Sequence, residues 1–225
     1  MGIVIAIDGP GGAGKSTVSR ALAARLGFAY VDTGAMYRVI GVLAAERGVG
    51  VDDEATLARL CDATRIEFVE RDGRAVVEAD GRDLSAAIRT AAAAQHASRY
   101  STAPAVRERL VAKQRALGAA GDVVMEGRDI GTVVFPDALL KVFLDASPRE
   151  RARRRAAELG HAGEAEIERM AREIAERDER DRSRAHSPLR PAADAVLVDS
   201  TDVPADGVVA QLLALVAARR DPLAR

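Results

Sequence analysis

Gly9-Pro10-Gly11-Gly12-Ala13-Gly14-Lys15-Ser16 spells G-x-x-x-x-G-K-[ST] near the start of the chain. Residues of these types at this spacing hold phosphate. The glycines let successive backbone N–H groups close around a β-phosphate, Lys15 reaches the β and γ oxygens, and the Ser16 hydroxyl ligates Mg²⁺. Gly9, Pro10, Gly11, Gly12, Ala13, Gly14, Lys15, Ser16 and Thr17 are thus candidate nucleoside-triphosphate-binding residues. The pattern carries weight only between a strand and a helix. Ile3-Val4-Ile5-Ala6-Ile7 supplies the β-branched strand, and the apolar spacing from Thr17 to Leu26, stopped by Gly27, supplies the helix. The helix N-terminus adds its partial positive charge at the same spot.

Such a loop alone does not separate kinases from switches, motors or transport ATPases. The chain contains no asparagine, so the guanine-reading N-K-x-D element is impossible, and neither Lys113 nor Lys141 stands in a related setting. Arginines and carboxylates gather where strands should end. Asp32-Thr33-Gly34-Ala35-Met36-Tyr37-Arg38 is one such stretch and Glu126-Gly127-Arg128-Asp129 another. Of the 33 basic residues only Lys15, Lys113 and Lys141 are lysines, and 12 arginines fall between Arg149 and Arg190 among 10 carboxylates. A run of that kind is ordinarily a solvated, salt-bridged helix face. Ile167, Met170 and Ile174 nevertheless set one face of a helix there, and Arg177, Asp181 and Arg184 continue it at i, i+4 and i+7.

The elements that must position these groups alternate. Phe28-Ala29-Tyr30-Val31, Asp122-Val123-Val124-Met125, Leu140-Lys141-Val142-Phe143-Leu144 and Ala195-Val196-Leu197-Val198 join the first strand in an expected α/β fold with a five-stranded parallel sheet. Helices are expected at Met36 to Arg47, Glu54 to Ala63, Thr90 to Tyr100, Pro104 to Leu117, Pro148 to Leu159 behind Ser147 as N-cap, and Pro204 to Ala218. Ligands of such folds lie at the carboxyl ends of the strands. Arg65 to Leu84 breaks the alternation. Asp72-Gly73 and Asp80-Gly81 are hairpin signals, and this small antiparallel insertion is too short to be stable without leaning on the rest.

Taken in order, Ile7-Asp8-Gly9-Pro10, Asp32 to Arg38, Ile88-Arg89-Thr90, EGRDIGTVVFPD at Glu126 to Asp137, Phe143-Leu144-Asp145-Ala146 and ERDERDRSRA at Glu176 to Ala185 resemble the bacterial cytidylate kinase family nearly end to end. The resemblance implies a P-loop kinase fold in which core segments 1–35, 118–147 and 186–225 carry two additions. These are a monophosphate-binding region at 36–117, with hairpins at about 65–84, and a helical lid with its following helix at about 148–185. It further implies transfer of a phosphoryl group from ATP, with Mg²⁺, to CMP or dCMP. Thr33, Arg38 and Arg128 would meet the acceptor phosphate, where arginine forks bind oxygens at two points. Asp129 would accept from the cytosine amine while Ser98 and Arg107 donate to N3 and O2, a set that uracil would leave unpaired. Arg177 and Asp181 fall to the sugar and Arg184 to the phosphate. Lys15, Arg128 and a lid arginine would carry developing charge. Arg153, Arg154 and Arg155 are all available for that role, with Arg154 taken as the catalytic one, and at least one of the three must face solvent because neighbours on a helix diverge by about 100°. Glu126 joins Ser16 at the metal, and Asp8 is a further candidate. A monophosphate oxygen is already a competent nucleophile, so no general base is expected. Other small-acceptor P-loop kinases and a nucleotide-dependent switch are the rivals, the latter leaving the acceptor arginines without a role.

Composition agrees with this reading. A chain of 225 residues, 48% hydrophobic and 30% charged with a net charge of −1, suits one folded domain or one carrying a small insertion, and argues against nonspecific nucleic-acid binding. The single Cys61 excludes an internal disulfide and a cysteine-cluster zinc site. Asp8 interrupts the first apolar run, so a cytoplasmic protein without a membrane segment is expected. A monomer acting on small molecules is expected too. His96, His161 and His186 have no catalytic setting.

Overall fold

Runs of Val, Ile and Leu without polar alternation suit strands buried on both faces, and the first strand shows why: all five residues of β1 (Val4–Asp8) are buried. In chain order β1 is followed by α1 (Lys15–Leu26), β2 (Ala29–Asp32), α2 (Thr33–Glu46), α3 (Glu54–Ala63), β3 (Ile66–Arg71), β4 (Arg74–Ala79) and β5 (Arg82–Asp83). Then come a 3₁₀ turn (Ala87–Arg89), α4 (Ala91–Tyr100), α5 (Pro104–Ala119), β6 (Val123–Gly127), a π-helical turn (Ile130–Val134), β7 (Leu140–Asp145), α6 (Pro148–Glu158), α7 (Glu164–Arg182), β8 (Val196–Asp199) and α8 (Ala205–Arg220). The computed structural model describes residues 2–71, 74–158, 160, 163–184 and 187–220. The expected turn at Asp72-Gly73, the end of α6 at Leu159, Ala185 of the ERDERDRSRA stretch, and His161 and His186 lie outside the described residues.

Helix starts differ from expectation by a single residue at α4 and α8, and by more in two places. α1 begins at Lys15, two residues before Thr17, because Gly14 itself stands at the N-cap. α2 begins at Thr33 and not at Met36, because the Asp32 side chain accepts from the Ala35 N–H at 3.0 Å and caps the first turn. Ser147 caps α6 as expected, its hydroxyl accepting from the Glu150 N–H.

The chain divides into two compact units, Met1–Val31 with Gly118–Arg225, and Asp32–Leu117. The first holds the five-stranded parallel sheet in the order β2-β6-β1-β7-β8. β1 lies between β6 and β7, with Asp8 opposite Gly127 on one side and Phe143 on the other, so the carboxyl ends of three strands meet beside the glycine loop. Ile5, Ile7, Val124, Val142 and Leu144 pack with Val18 and Leu22 of α1 and Val208 and Leu212 of α8 in a core from which water is excluded. α6 and α7 join through Ala152, Ala156 and Met170.

The second unit has its own core. Met36, Val39, Ile40 and Leu43 of α2 meet Leu57 and Leu60 of α3, Tyr100 of α4 and Val106 and Leu110 of α5. The antiparallel insertion is the sheet β3-β4-β5, and its Ile66, Phe68, Val77 and Ala79 pack on that same cluster. Three short strands gain their stability from those helices.

Candidate functional site

Between β1 and α1 the loop from Gly9 to Gly14 runs with backbone that only glycine adopts freely at its tightest points. At Gly9 (φ 147°) an added Cβ would lie 2.0 Å from the Leu144 carbonyl oxygen. At Gly12 (φ 77°) it would meet the Arg151 carbonyl at 2.7 Å. Ser16 and Thr17 are exposed at the first turn of α1. Lys15 is buried, and its ammonium donates to the Pro10 carbonyl at 2.7 Å. Burial lowers its pKa to about 7, helped by the positive charges of Arg128 and Arg177 and opposed by Glu126 and Asp8.

The two carboxylates at the strand ends are employed differently. Both oxygens of Asp8 accept backbone N–H groups, from Ile130 at 2.8 Å and Gly131 at 2.7 Å, and so tie β1 to the π-helical turn after β6. Burial raises the Asp8 pKa to about 6, against the pull of those two bonds. Glu126, buried at the end of β6, accepts from the Tyr30 hydroxyl at 2.5 Å, and the Arg20 guanidinium lies 5.4 Å above the Tyr30 ring. Asp129 is buried one turn further on, its carbonyl accepting from Val133 and Val134.

An Arg–Asp pair four residues apart on a helix is ordinarily a weak surface pair. Here Asp181 is 1% exposed and gathers three arginines: Arg128 at 3.1 Å, Arg184 in a short ion pair, and Arg177 at 3.9 Å. Burial raises its pKa, yet the three guanidiniums outweigh burial and hold the carboxyl below its usual range. Arg184 lies past the end of α7 and not on it as the i+7 spacing expected, because Ser183 closes the helix; its side chain still folds back onto Asp181. Arg128 also approaches the loop, its Nη2 lying 3.7 Å from where a Gly11 side chain would begin.

Of the three adjacent arginines of α6, Arg154 lies at the loop. Its Nη1 and Nη2 donate to the Ser200 hydroxyl and carbonyl at 3.0 and 2.6 Å, its Nε donates to Glu150 at 2.8 Å, and Nη1 stands 3.4 Å from where a Gly14 Cβ would be. Arg153 is 60% exposed and paired with Glu150, whose pKa falls to about 2 beside it, while Arg155 pairs with Glu158. The Ser200 hydroxyl reaches the Ala13 and Asp145 carbonyls at 3.1 and 3.0 Å. Gly14, Thr17, Arg154, Ser200, Asp202 and Pro204 line a cleft of about 470 Å³ beside the loop. Sequence reasoning missed Arg151, Asp178, Tyr30 and Ser200. Nothing in the spacing marked Arg151, which stands about 100° around α6 from the inward-facing Ala152.

Thr33, Arg38, Ser98 and Arg107 belong to the second unit. Arg38 donates to Asp32 at 2.6 Å, the carboxylate that caps α2. Thr33 is buried in the first turn of that helix. Arg107 is buried with its guanidinium 5.9 Å above the Tyr37 ring. The Ser98 hydroxyl is buried on α4 with no hydrogen-bond partner. His96 lies against Tyr100 on the same helix. Among the described residues no helix is long and apolar enough to cross a membrane, and no three His, Cys, Asp or Glu side chains cluster as a metal cage.

Comparison with known proteins matches residues 5–218 to the cytidylate kinase family model. The chain is 50% identical to the cytidylate kinase of Pelotomaculum thermopropionicum over 96% of each chain, and 46% identical to that of Geobacter sulfurreducens over 97% of this chain and 94% of the relative. Among solved structures, a gluconokinase from Sinorhizobium meliloti superposes with a TM-score of 0.52 at 18% identity, covering 99% of this chain and 95% of the other, a likeness of fold.

Proposed function

The chain belongs to the cytidylate kinase family, and from that premise we propose that it transfers the γ-phosphoryl group of MgATP to CMP or dCMP, forming CDP or dCDP and ADP, by in-line displacement without a general base. The observation that carries the reading is the concentration of positive charge at the glycine loop. Lys15 is buried against the Pro10 carbonyl, Arg128 comes within 3.7 Å of where a Gly11 side chain would begin, and burial, with the charges of Arg128 and Arg177, lowers the lysine's pKa, an arrangement that costs free energy until anionic phosphates enter. A transition state spreading charge over phosphoryl oxygens needs such fixed cations more than it needs covalent chemistry.

In this reading the triphosphate lies in the loop from Gly9 to Thr17, and the donor base enters the cleft between Arg154 and Pro204. Arg154, held by Glu150 and Ser200, faces the phosphates. Mg²⁺ suits the hydroxyl of Ser16 and the buried carboxylate of Glu126, hard oxygen donors that leave most of its shell to water and phosphate. A metal held there would supply positive charge against the phosphate oxygens. Asp8, whose oxygens are both engaged by backbone N–H groups, acts by fixing the turn that carries Asp129.

Thr33, Arg38, Arg128 and Arg184 receive the acceptor phosphate, and Arg177 with Asp181 the sugar. Because Asp181 already pairs with three arginines, its main work is to fix their forks. Asp129 reads the amine of cytosine, with Ser98 and Arg107 at its acceptors. The buried Ser98 hydroxyl has no protein partner and supports this role. Purified protein given MgATP should form ADP much faster with CMP or dCMP than with UMP, AMP, GMP, shikimate or no acceptor. Acceptor-independent turnover, or a different preferred acceptor, would overturn the proposal.

A further inference from the structure

Among the described residues of α6, Arg151 is the one arginine that is buried, and no part of the family-based reading uses it. Its guanidinium is spent on three elements at once. Nε donates to the Ala146 carbonyl at 3.0 Å, and Nη1 donates both to the Gly11 carbonyl at 3.1 Å and to Asp178 Oδ2 at 2.5 Å. Asp178 is 1% exposed on α7, three residues before Asp181. The Arg151 backbone also closes over the loop, leaving no room for a side chain at Gly12.

The contact with Gly11 has a geometric consequence. In a trans peptide the C=O of one residue and the N–H of the next point in opposite directions. A donor that holds the Gly11 carbonyl therefore turns the Gly12 N–H the other way. A phosphate cradle requires N–H groups facing inward and carbonyls facing out, since an inward carbonyl would repel the anion. We propose that Arg151 is a positioning residue of the phosphate loop: held by Asp178, it holds the Gly11 carbonyl outward and so presents the Gly12 N–H to the donor phosphates. The inference rests on the kinase reading for the identity of the donor. It also links the lid to the arginine cluster, because Asp178 and Asp181 occupy adjacent turns of one helix.

Arg151→Lys tests this, because an ammonium keeps a positive charge beside Asp178 but lacks the fork that reaches three acceptors. The expected result is a KM for MgATP raised about tenfold, as for the loss of one well-placed hydrogen bond, with the KM for CMP within about twofold of the parent's. Calorimetric titration of MgATP without acceptor should show the same weakening, and it reads donor binding whatever the acceptor proves to be. An arginine that only supports the fold would lower the melting temperature and the active fraction, leaving both KM values intact. That result overturns the proposal, as does equal weakening of both substrates. Should Arg151→Lys fail to fold, Asp178→Asn, which releases Arg151 from its ionic anchor, should weaken MgATP several-fold; unchanged binding would overturn the idea.

Discussion

The Asp181 cluster of the first unit and Ser98 of the second handle buried polarity in opposite ways. Around Asp181 and along the glycine loop nearly every charged group is already engaged by protein: Asp181 by three arginines, Arg151 by Asp178 and two carbonyls, Asp8 by two amides. On α4 the Ser98 hydroxyl is buried with nothing to bond. Cations that must neutralise charge in a transition state work best when fixed beforehand, since reorganisation then costs nothing at the moment of reaction. A group that must tell one base from another works best when it is satisfied by the correct ligand alone, since a wrong base leaves it unpaired.

The widest separation between the two regions comes from Lys15→Ala. Transfer should fall by about 10³-fold, as when a charge-stabilising donor is removed, with the circular-dichroism spectrum unchanged. Next, Asp181→Ala should destabilise the fold by about 3–5 kcal/mol, because it strands guanidiniums that a buried carboxylate had compensated; a denaturant titration checks it, and a loss near zero would mean that the cluster is not preorganised. Smaller again are the base-reading variants. Arg107→Ala and Asp129→Ala should reduce the preference for CMP over UMP by about tenfold or more while sparing ATP binding, measured as the ratio of kcat/KM values. Ser98→Ala should weaken CMP similarly yet leave the melting temperature of the free protein unchanged or raised, the mirror image of Asp181→Ala.

The smallest effect is a proton. With the Lys15 pKa near 7 in the free protein, phosphate binding raises it, so the complex holds more protons than the free enzyme from about pH 7 upward. MgATP binding at pH 7 should take up about half a proton, read from calorimetric heats in buffers of different ionisation enthalpy. Proton release would mean that Lys15 is charged and satisfied before the donor arrives.

Much of this was legible before any coordinates. The loop, its flanking strand and helix, the five strands and the small antiparallel insertion were all readable, because hydrophobic periodicity and glycine placement act over a few residues. The π-helical turn at Ile130–Val134 was not, since Asp8, 122 residues away from Ile130, holds it. Taking Arg154 over its neighbours had no warrant in the sequence, because three adjacent arginines have identical chemistry and the position of Ser200 is what separates them. Tyr30 read as a strand residue until its hydroxyl was seen on Glu126.

By itself the amino-acid sequence determined a glycine loop with Lys15 behind it, the pattern of a phosphate cradle, and the parallel sheet that carries it, since both follow from local spacing and burial pattern. Only the tertiary structure decided which arginines stand at the glycine loop and what holds them there. An arginine is a solvated charge or a fixed cation according to which carboxylate, hydroxyl or carbonyl faces it, and at Arg128, Arg151 and Arg154 such partners come from segments 27 to 140 residues distant.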